Sequence, residues 1–225
     1  MHNIPILYED NHLLVAVKPP NVLSQGDRTG DRDMLTILKE YIKVTYNKPG
    51  NVFLGLVHRL DRPVGGVMVF AKTSKAAARL SEQIRQNQFG KRYLAVVWGH
   101  PERLNGSLRD HLKKDRKSNM VKVTHSQDPG AKEAWLDYEV IDMGKEWSLL
   151  RVYLHTGRAH QIRVQLSAAG YPIVGDQRYG LKGQPPIQIG LWAESLSFTH
   201  PTKKEVLEFG APPPQKKPWD AFILV

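Results

Sequence analysis

Short strand-like segments joined by turns recur along this chain of 225 residues, and isolated helical segments lie between them. Residues 6–20 alternate as two strands around an Asp-Asn turn, and the Pro19-Pro20 pair ends the second strand. Hairpins and single helices, rather than repeated strand–helix–strand units, predict an α+β fold. Further strand patterns are found at 67–71, 93–98, 134–141, 147–154, 191–198 and 205–209.

Helical periodicity is found in three segments. Asp33 is placed to cap a helix that runs to about residue 46, and Ser74 to cap one that runs to about residue 88. The segment 158–169 predicts a third helix, which ends at a glycine with a proline just beyond. We find no internal repeat and no domain linker, so residues 1–225 are predicted to form a single domain.

Positive charge is concentrated beyond residue 50. The chain has 32 Lys and Arg residues against 22 Asp and Glu, a net charge of +10, whereas residues 1–50 are neutral. The excess is densest between Lys91 and Lys122, and the polar, aperiodic segment 103–132 predicts an exposed excursion. Such charge favours a polyanionic partner, because each phosphate that is neutralised releases counterions. A general contribution to solubility remains the alternative.

Several classes of protein are disfavoured by what the sequence lacks. It has no cysteine, so disulfides and thiolate chemistry are excluded. It has no apolar run of the roughly 18 residues that a membrane span requires. Residues 1–5 contain neither the basic start nor the apolar stretch of a signal peptide. We therefore expect an intracellular, cytoplasmic protein.

The loop at 58–66 contains the most suggestive single group. Asp61 lies between Arg59 and Arg62, after an apolar approach and before a Pro- and Gly-rich turn that leads into a strand. Because arginine does not lose its proton in proteins, Asp61 should stay ionised, as a nucleophile or a base requires. A turn aspartate that pairs with a neighbouring arginine is the structural alternative.

Two further positions combine a polar group with an apolar setting. Tyr93 begins a predicted strand, where it either packs in the core with its hydroxyl at the rim or stacks on a planar base. Arg163 lies between two apolar residues in the third predicted helix, so its stem should be packed. A buried guanidinium requires a carboxylate, and Asp61 is the predicted partner. A surface arginine that pairs locally is the alternative.

Metal and cofactor sites are not indicated. His155 and His160 are five residues apart without a nearby acid, whereas helical metal ligands are three or four apart. The sequence has no nucleophile elbow, no phosphate-binding Gly-Lys-Ser/Thr loop and no dinucleotide-binding glycine pattern. The sequence predicts a reaction without cofactor or metal.

Taken together and in order, these segments resemble the RluA-type RNA pseudouridine synthases over about residues 6–210. The shared motifs are His-Arg-Leu-Asp at 58–61, Lys-x-Tyr at 91–93, Gly-Arg-x-His-Gln-Ile-Arg at 157–163 and Gly-x-Pro-Ile-x-Gly-Asp at 170–176. One departure follows the aspartate, where Val64 and Gly65 replace the family's usual Thr-Ser. The resemblance implies a catalytic domain with a mixed, mostly antiparallel sheet, flanking helices and a central active-site cleft, standing alone without an S4-type domain.

The resemblance also implies an activity, the isomerisation of specific uridines in ribosomal or transfer RNA to pseudouridine. Asp61 would be the catalytic aspartate, Tyr93 the tyrosine beside the target base and Arg163 the ion-pair partner of Asp61. Arg59 would fill the place of the nucleotide that flips out. The predicted RNA-contacting residues are His58, Arg59, Arg62, Arg158, His160, Lys113, Lys114, Arg116 and Lys117.

Other functions remain open at this stage. A non-catalytic RNA-binding protein that keeps the fold is the main alternative, and an RNA-directed glycosidase that uses Asp61 is another. We expect RNA as the partner, no membrane, no obligate protein partner and a monomer. The sequence does not distinguish attack of the carboxylate on the sugar from removal of a sugar proton.

Overall fold

The structure is a computed structural model that describes residues 4–115, 117–184 and 186–223. Arg116, one of the predicted RNA-contacting residues, lies outside the described residues. Within those ranges the chain forms eleven β-strands and three α-helices, and the strand pairs described below are antiparallel. The predicted α+β fold is confirmed. The chain divides into two compact units, which are described separately.

The first unit consists of residues Met1–Phe89 and Ala193–Ala211. Strand β2 pairs with β1 and β4, β3 pairs with β4, and β10 pairs with β11. The predicted N-terminal hairpin around the Asp-Asn turn is therefore confirmed. The strands are β1 (Ile6–Glu9), β2 (Leu13–Lys18), β3 (Gly55–Leu56), β4 (Gly65–Ala71), most of β10 (Leu191–Thr199) and β11 (Val206–Gly210).

Two helices pack in the first unit. Helix α1 (Met34–Thr45) begins as predicted at Asp33, whose carboxylate accepts hydrogen bonds from two backbone N–H groups of the first turn. Helix α2 (Ser74–Arg85) is capped by Thr73 rather than by Ser74, and it ends before residue 88. The predicted and observed capping residues are thus one position apart. Threonine and serine both suit an N-cap, and only the backbone geometry selects between them.

The second unit consists of residues Gly90–Trp192 and Pro212–Val225. Its strands are arranged in the order β5-β9-β8-β6-β7. The predicted hairpin between the strands at 134–141 and 147–154 is confirmed as β8 and β9. The strands are β5 (Gly90–Trp98), β6 (Asn105–Lys114), β7 (Val121–Thr124), β8 (Lys132–Met143) and β9 (Trp147–Leu154).

The prediction of an aperiodic excursion at 103–132 is wrong. Strands β6 and β7 form a hairpin there, and β6 also pairs with β8 along its length. Only Leu112 in β6 and Val121 in β7 are buried. The apolar side chains of β6 are Leu108 and Leu112, four positions apart, and β7 has only four residues, so neither segment shows a long alternation of apolar and polar positions.

Helix α3 (Gln161–Ala168) is shorter than predicted and covers one face of the second unit's strands. Its Val164 packs in a cluster with Leu112, Val121 and Ala134. Tyr93 is directly opposite Val152 across one ladder, and Val152 is opposite Tyr138 across the next. Since Tyr138 and Ala134 alternate on the same side of β8, the side chain of Tyr93 lies on the α3 face.

Within the described ranges, no helix combines the length and the apolar character that crossing a membrane would require.

Candidate active site

The Asp61 loop, residues 57–64, joins β3 to β4 in the first unit. Its backbone is anchored on both sides of Leu60, because the Ser24 hydroxyl donates to the Leu60 carbonyl at 2.8 Å and accepts from the Leu60 N–H at 3.2 Å. The Val64 N–H closes a turn onto the Asp61 carbonyl at 3.0 Å. Asp61 itself is half-buried. The loop therefore holds its carboxylate on a fixed main chain.

Lys18, the last residue of β2, provides a second anchor that sequence analysis did not identify. Its side chain is completely buried, and its ammonium donates to the carbonyls of Pro19 at 3.0 Å and Arg62 at 3.1 Å. Burial lowers the pKa of Lys18 to about 7, although the nearby charge of Asp61 favours the protonated form. Its signal in the sequence is a lysine that ends an apolar strand directly before two prolines.

The other charged residues of the loop differ in their surroundings. The ring of His58 is half-buried beside Phe89, and its Nε2 accepts from the backbone N–H of Val69 at 3.1 Å. Arg62 is exposed and pairs with Asp31 at 2.6 Å, and Arg59 is exposed as well. The ring of His58 thus helps to fix the loop, whereas the two arginines present their side chains to solvent. Their predicted contacts with RNA stay predictions.

The departure after Asp61 is explained by packing. Val64 is only 2% exposed, and Gly65 is buried as well. Gly66 has a φ of +127°, and a Cβ at this position would lie 2.3 Å from the carbonyl oxygen of Ala193. These positions therefore lie inside the first unit, where the missing hydroxyls would have faced protein rather than solvent.

Tyr93 belongs to the second unit and is half-exposed at the start of β5. The same unit contains Arg158, a predicted RNA-contacting residue, and the basic residue Lys91. Burial and the positive charge of Arg158 lower the pKa of Lys91. Arg158 is exposed, and its Nε donates to the carbonyl of Glu133 at 2.8 Å. The backbone carbonyl thus orients the guanidinium and leaves its charge available to an anion.

Arg163 is 4% exposed and has a carboxylate partner inside its own unit. Its Nε donates to one oxygen of Asp176 at 2.7 Å and its Nη2 to the other at 2.8 Å. The prediction that this arginine is buried beside a carboxylate is correct, but the prediction overlooked Asp176. The pairing of Arg163 with Asp61 stays a prediction.

The carboxylate of Asp176 accepts further hydrogen bonds besides those from Arg163. Its Oδ1 also accepts from the backbone N–H groups of Arg178 at 2.9 Å and Tyr179 at 3.1 Å. Burial raises the pKa of Asp176, but the hydrogen bonds and charge of Arg163 and these two N–H groups outweigh burial, so the pKa lies below its ordinary value. The pair is therefore ionised at neutral pH.

His160 lies in a network rather than at an open surface. It is half-buried and precedes α3 in a left-handed conformation with a φ of 53°. The Tyr179 hydroxyl accepts from the Val121 N–H at 2.9 Å and lies 2.7 Å from His160 Nδ1, to which it can donate. The guanidinium of Arg163 lies 5.2 Å from the centre of the Tyr179 ring. The ring of His160 thus has an internal partner, and its predicted contact with RNA stays a prediction.

The predicted basic track lies on the β6–β7 hairpin. Lys114 and Lys117 are exposed there, whereas the ammonium of Lys113 forms an ion pair with Asp128. Lys122 in β7, which the prediction did not include, is also exposed and lines a groove of about 490 Å³ together with Lys113 and Lys114. Within the described part of the chain, no cluster of three or more His, Asp and Glu side chains is arranged to hold a metal ion.

Comparison with known proteins identifies the family. The sequence profile described as RNA pseudouridylate synthase matches residues 12–168. The chain is 35% identical over 215 residues to the dual-specificity RNA pseudouridine synthase RluA of Escherichia coli, with 92% of each protein covered. It is 34% identical over 224 residues to the ribosomal large subunit pseudouridine synthase C of Buchnera aphidicola, covering 93% of this chain and 67% of that protein. The chain belongs to the RNA pseudouridylate synthase family.

A solved structure supports the fold independently. The structure of human RNA pseudouridylate synthase domain containing 4 superposes with a TM-score of 0.77 at 24% identity, covering 93% of this chain and 88% of that chain. As a member of the family, the protein is an RNA pseudouridine synthase, an isomerase that acts on uridine in RNA. The predicted family, fold and enzyme class are thus confirmed, whereas the roles of individual residues are not tested by the comparisons.

Proposed function

We propose that this enzyme converts uridines of ribosomal or transfer RNA to pseudouridine, with Asp61 as its catalytic carboxylate. The range of substrates is supported by its relatives, since one matched enzyme is named for dual specificity and another for the large ribosomal subunit. The main support for Asp61 is the fixed backbone beneath a half-buried carboxylate. A nucleophile or base must be held in this way, because small errors in position slow a reaction severely.

The reaction is an isomerisation in which nothing is consumed. The bond between N1 and C1′ breaks, the uracil turns, a bond forms between C5 and C1′, and the proton on C5 is finally lost while N1 gains one. The carboxylate either attacks C1′ or removes a proton from the sugar while uracil leaves as a stabilised anion. Both routes require Asp61 in its ionised form.

Tyr93 and Arg163 have complementary roles in this proposal. Tyr93 stacks on the detached uracil and holds it while it turns, which its half-exposed ring at the start of β5 supports. In this proposal Arg163 is the ion-pair partner that orients Asp61. Its burial and its planar, fixed guanidinium support this role.

RNA is held by phosphate contacts outside the reacting centre. The target base must leave its stack to react, which costs a few kcal/mol. The exposed Arg59 fills the vacated place, because a guanidinium stacks well on bases. Contacts from Lys114 and Lys117 offset part of the cost, and Arg62 and Arg158 supply further charge.

We also propose that the enzyme works as a monomer in the cytoplasm. A net charge of +10 makes copies of the chain repel one another, which supports the monomer. The absence of cysteine is compatible with a reducing compartment.

Mapping of pseudouridines in ribosomal and transfer RNA, from cells with and without this protein, tests the substrates. The proposal predicts that one or more sites in these RNAs lose the modification and regain it when the gene is restored. Unchanged maps in both RNA classes would contradict the proposal. Mass spectrometry of treated RNA separates it from glycosidase activity, because isomerisation leaves the mass unchanged whereas base loss does not.

A further inference from the structure

Lys91 is a half-buried cation near the start of β5, and the proposed chemistry gives it no part. Among the described residues, its ammonium has neither an ion-pair partner nor a hydrogen-bond partner. The charged group that acts on it is a second cation, the guanidinium of Arg158. An ammonium that loses hydration without gaining an acid is unfavourable, so an anion bound here stabilises the arrangement.

We propose that Lys91 and Arg158 form a binding subsite for one phosphate of the RNA, the phosphate next to the target uridine. The ligand is a phosphodiester of the substrate strand, and both cations lie within the second unit. The inference deepens the proposed function and rests on it, because it assumes that Tyr93 holds the target base. Lys91 and Arg158 bind the substrate, and neither takes part in the breaking or forming of bonds.

The side chain of Lys91 reaches the loop that leads into α3. A Cβ built on Gly157 would lie 3.4 Å from Nζ of Lys91, and apart from the glycine's own chain neighbours no other described heavy atom lies within 4 Å of that position. The lack of a side chain at residue 157 therefore leaves space directly beside the ammonium. An anion can approach Nζ through this space.

The loop that carries Arg158 is held by Gln161, which is 3% exposed. The side-chain oxygen of Gln161 accepts from the Arg158 N–H at 3.0 Å and from the Thr156 hydroxyl at 2.8 Å. The amide of Gln161 donates to the Trp135 carbonyl at 3.1 Å, which fixes the loop to β8. The Glu133 carbonyl orients the Arg158 guanidinium itself. Arg158 is therefore in place before the RNA arrives, which reduces the entropy lost on binding.

Lys91 and Tyr93 are two positions apart on β5, so their side chains lie on the same face of the strand. Two residues of a strand span about 7 Å. A base and its own phosphate are joined through a single sugar, so a uracil stacked on Tyr93 brings a flanking phosphate to the level of Lys91. The strand thus places a base subsite and a phosphate subsite side by side.

The electrostatics of Lys91 agree with this geometry. Burial and the charge of Arg158 lower the pKa of Lys91, since both disfavour its protonated form. A phosphate bound between the two cations offsets both effects, because it accepts hydrogen bonds in place of water and attracts both charges. The exposed Lys114 and Lys117 differ in this respect, because water already solvates their charges.

The first test measures binding of the full-length protein to a synthetic RNA stem-loop that contains a mapped target uridine. Lys91→Met should weaken binding about ten- to hundredfold, the effect of losing a charge-assisted hydrogen bond, and should reduce the slope of log K against log salt by roughly 0.7. Lys145→Met is the matched control, because Lys145 is an exposed lysine of the same unit, and it should bind as the wild type does. Wild-type affinity and salt slope in Lys91→Met would overturn the inference.

Gly157→Ala is a second variant that keeps both cations. Its methyl group occupies the space beside Nζ of Lys91, so binding should weaken about threefold or more, because the methyl group and the phosphate compete for the same space. Where circular dichroism shows that Lys91→Met does not fold, Gly157→Ala decides in its place. Wild-type affinity in the folded Gly157→Ala protein would then overturn the inference.

A neutral linkage in the RNA locates the phosphate. Methylphosphonate replaces one phosphate of the loop at a time, and each strand is compared with one that has the same 2′-O-methyl sugar and an ordinary phosphate. At one of the two linkages that flank the target uridine, the replacement should weaken binding to the wild type about tenfold and binding to Lys91→Met less than about threefold. Equal losses in both proteins at both flanking linkages would overturn the inference.

Failure of the proposed function has a different signature. Tritium release from C5-labelled uridine in the same stem-loop reports the isomerisation, whereas the binding measurements report the phosphate contact. If the wild type releases no tritium, the proposed function is wrong, and the assignment of the phosphate to a target uridine fails with it. If the wild type releases tritium but Lys91 shows no coupling to a flanking phosphate, the inference alone is wrong.

Discussion

The ammonium of Lys18 lies 3.1 Å from the main-chain oxygen of Arg62, one residue beyond Asp61. Lys18 ends β2, a buried strand that is paired on both sides, so the loop that bears the proposed catalytic carboxylate is tied to the core of the first unit. A lysine in this place costs desolvation energy, which the two carbonyls and the charge of Asp61 partly offset.

The first prediction concerns pH and stability. The pKa of Lys18 is about 7 in the folded protein and 10.5 when unfolded. Between these values the unfolded chain holds a proton that the folded protein has released, so raising the pH stabilises the fold, by at most about 1.4 kcal/mol per pH unit. Relative to Lys18→Met, the wild type should gain stability in urea titrations as the pH rises from 7 toward 10.5. Below pH 7 the difference should be constant.

Lys75→Met is the matched control, because Lys75 is an exposed residue of α2. Its stability should follow that of the wild type across the same range. If Lys18→Met and the wild type also gave parallel curves, Lys18 would not titrate as a buried amine.

The second prediction concerns the turn after Asp61. Gly66→Ala should destabilise the protein by about 3 kcal/mol or more, because the new methyl group meets the Ala193 carbonyl and φ is unfavourable. Gly99→Ala is the control, since Gly99 has a positive φ of +77° but open space around its Cβ position. It should cost only about 1–2 kcal/mol. Equal losses in thermal unfolding would show that the close approach to Ala193 is unimportant.

The third prediction concerns RNA binding. Replacing Lys114 and Lys117 by Gln should weaken binding to a transcript and reduce the slope of log K against log salt by roughly 0.7–0.9 for each phosphate that is no longer neutralised. Lys113→Gln should have a smaller effect, because Asp128 already neutralises this lysine. The exposed Lys75→Gln serves as the control. A slope that stays at the wild-type value would place the RNA elsewhere.

The fourth prediction concerns the Tyr179 hydroxyl. Tyr179→Phe should cost about 1–2 kcal/mol of stability, since it removes the hydroxyl that accepts from the Val121 N–H and that is also hydrogen-bonded to His160 Nδ1. Hydrogen exchange at Val121 should accelerate. Tyr171→Phe is the control, because its hydroxyl accepts a long, 3.4 Å hydrogen bond from the Glu102 N–H. Unchanged exchange at Val121 would mean that the hairpin does not depend on Tyr179.

The sequence predicted those parts of the fold whose apolar residues form a clear pattern. Helix α1 and strand β8 bury one face each, β2 is an apolar run buried almost throughout, and the predicted bounds of these elements were close. Strands β6 and β7 were not predicted, because the apolar side chains of β6, Leu108 and Leu112, are four positions apart and the alternation in β7 covers only four residues. Their pairing is fixed by β8, a neighbour that local sequence does not reveal.

The sequence indicated the candidate residues of the site, but it indicated less well which of them are in contact. The motifs around Asp61, Tyr93 and Arg163 stand out because charged groups lie among apolar ones. The partner of a buried charge, however, depends on which segments meet in space. Asp176 is thirteen residues beyond Arg163 and reaches it only because the chain turns back after α3.

The role of Asp61 is tested most directly by tritium release from C5-labelled uridine in RNA, measured for the wild type, Asp61→Asn and Asp142→Asn. Asp142 is an exposed acid at the β8–β9 turn, so its variant should match the wild type. Asp61→Asn should release no tritium while its RNA affinity stays within a few-fold of the wild type, because the amide can neither attack the sugar nor accept its proton. Turnover by Asp61→Asn at the wild-type rate would contradict the account.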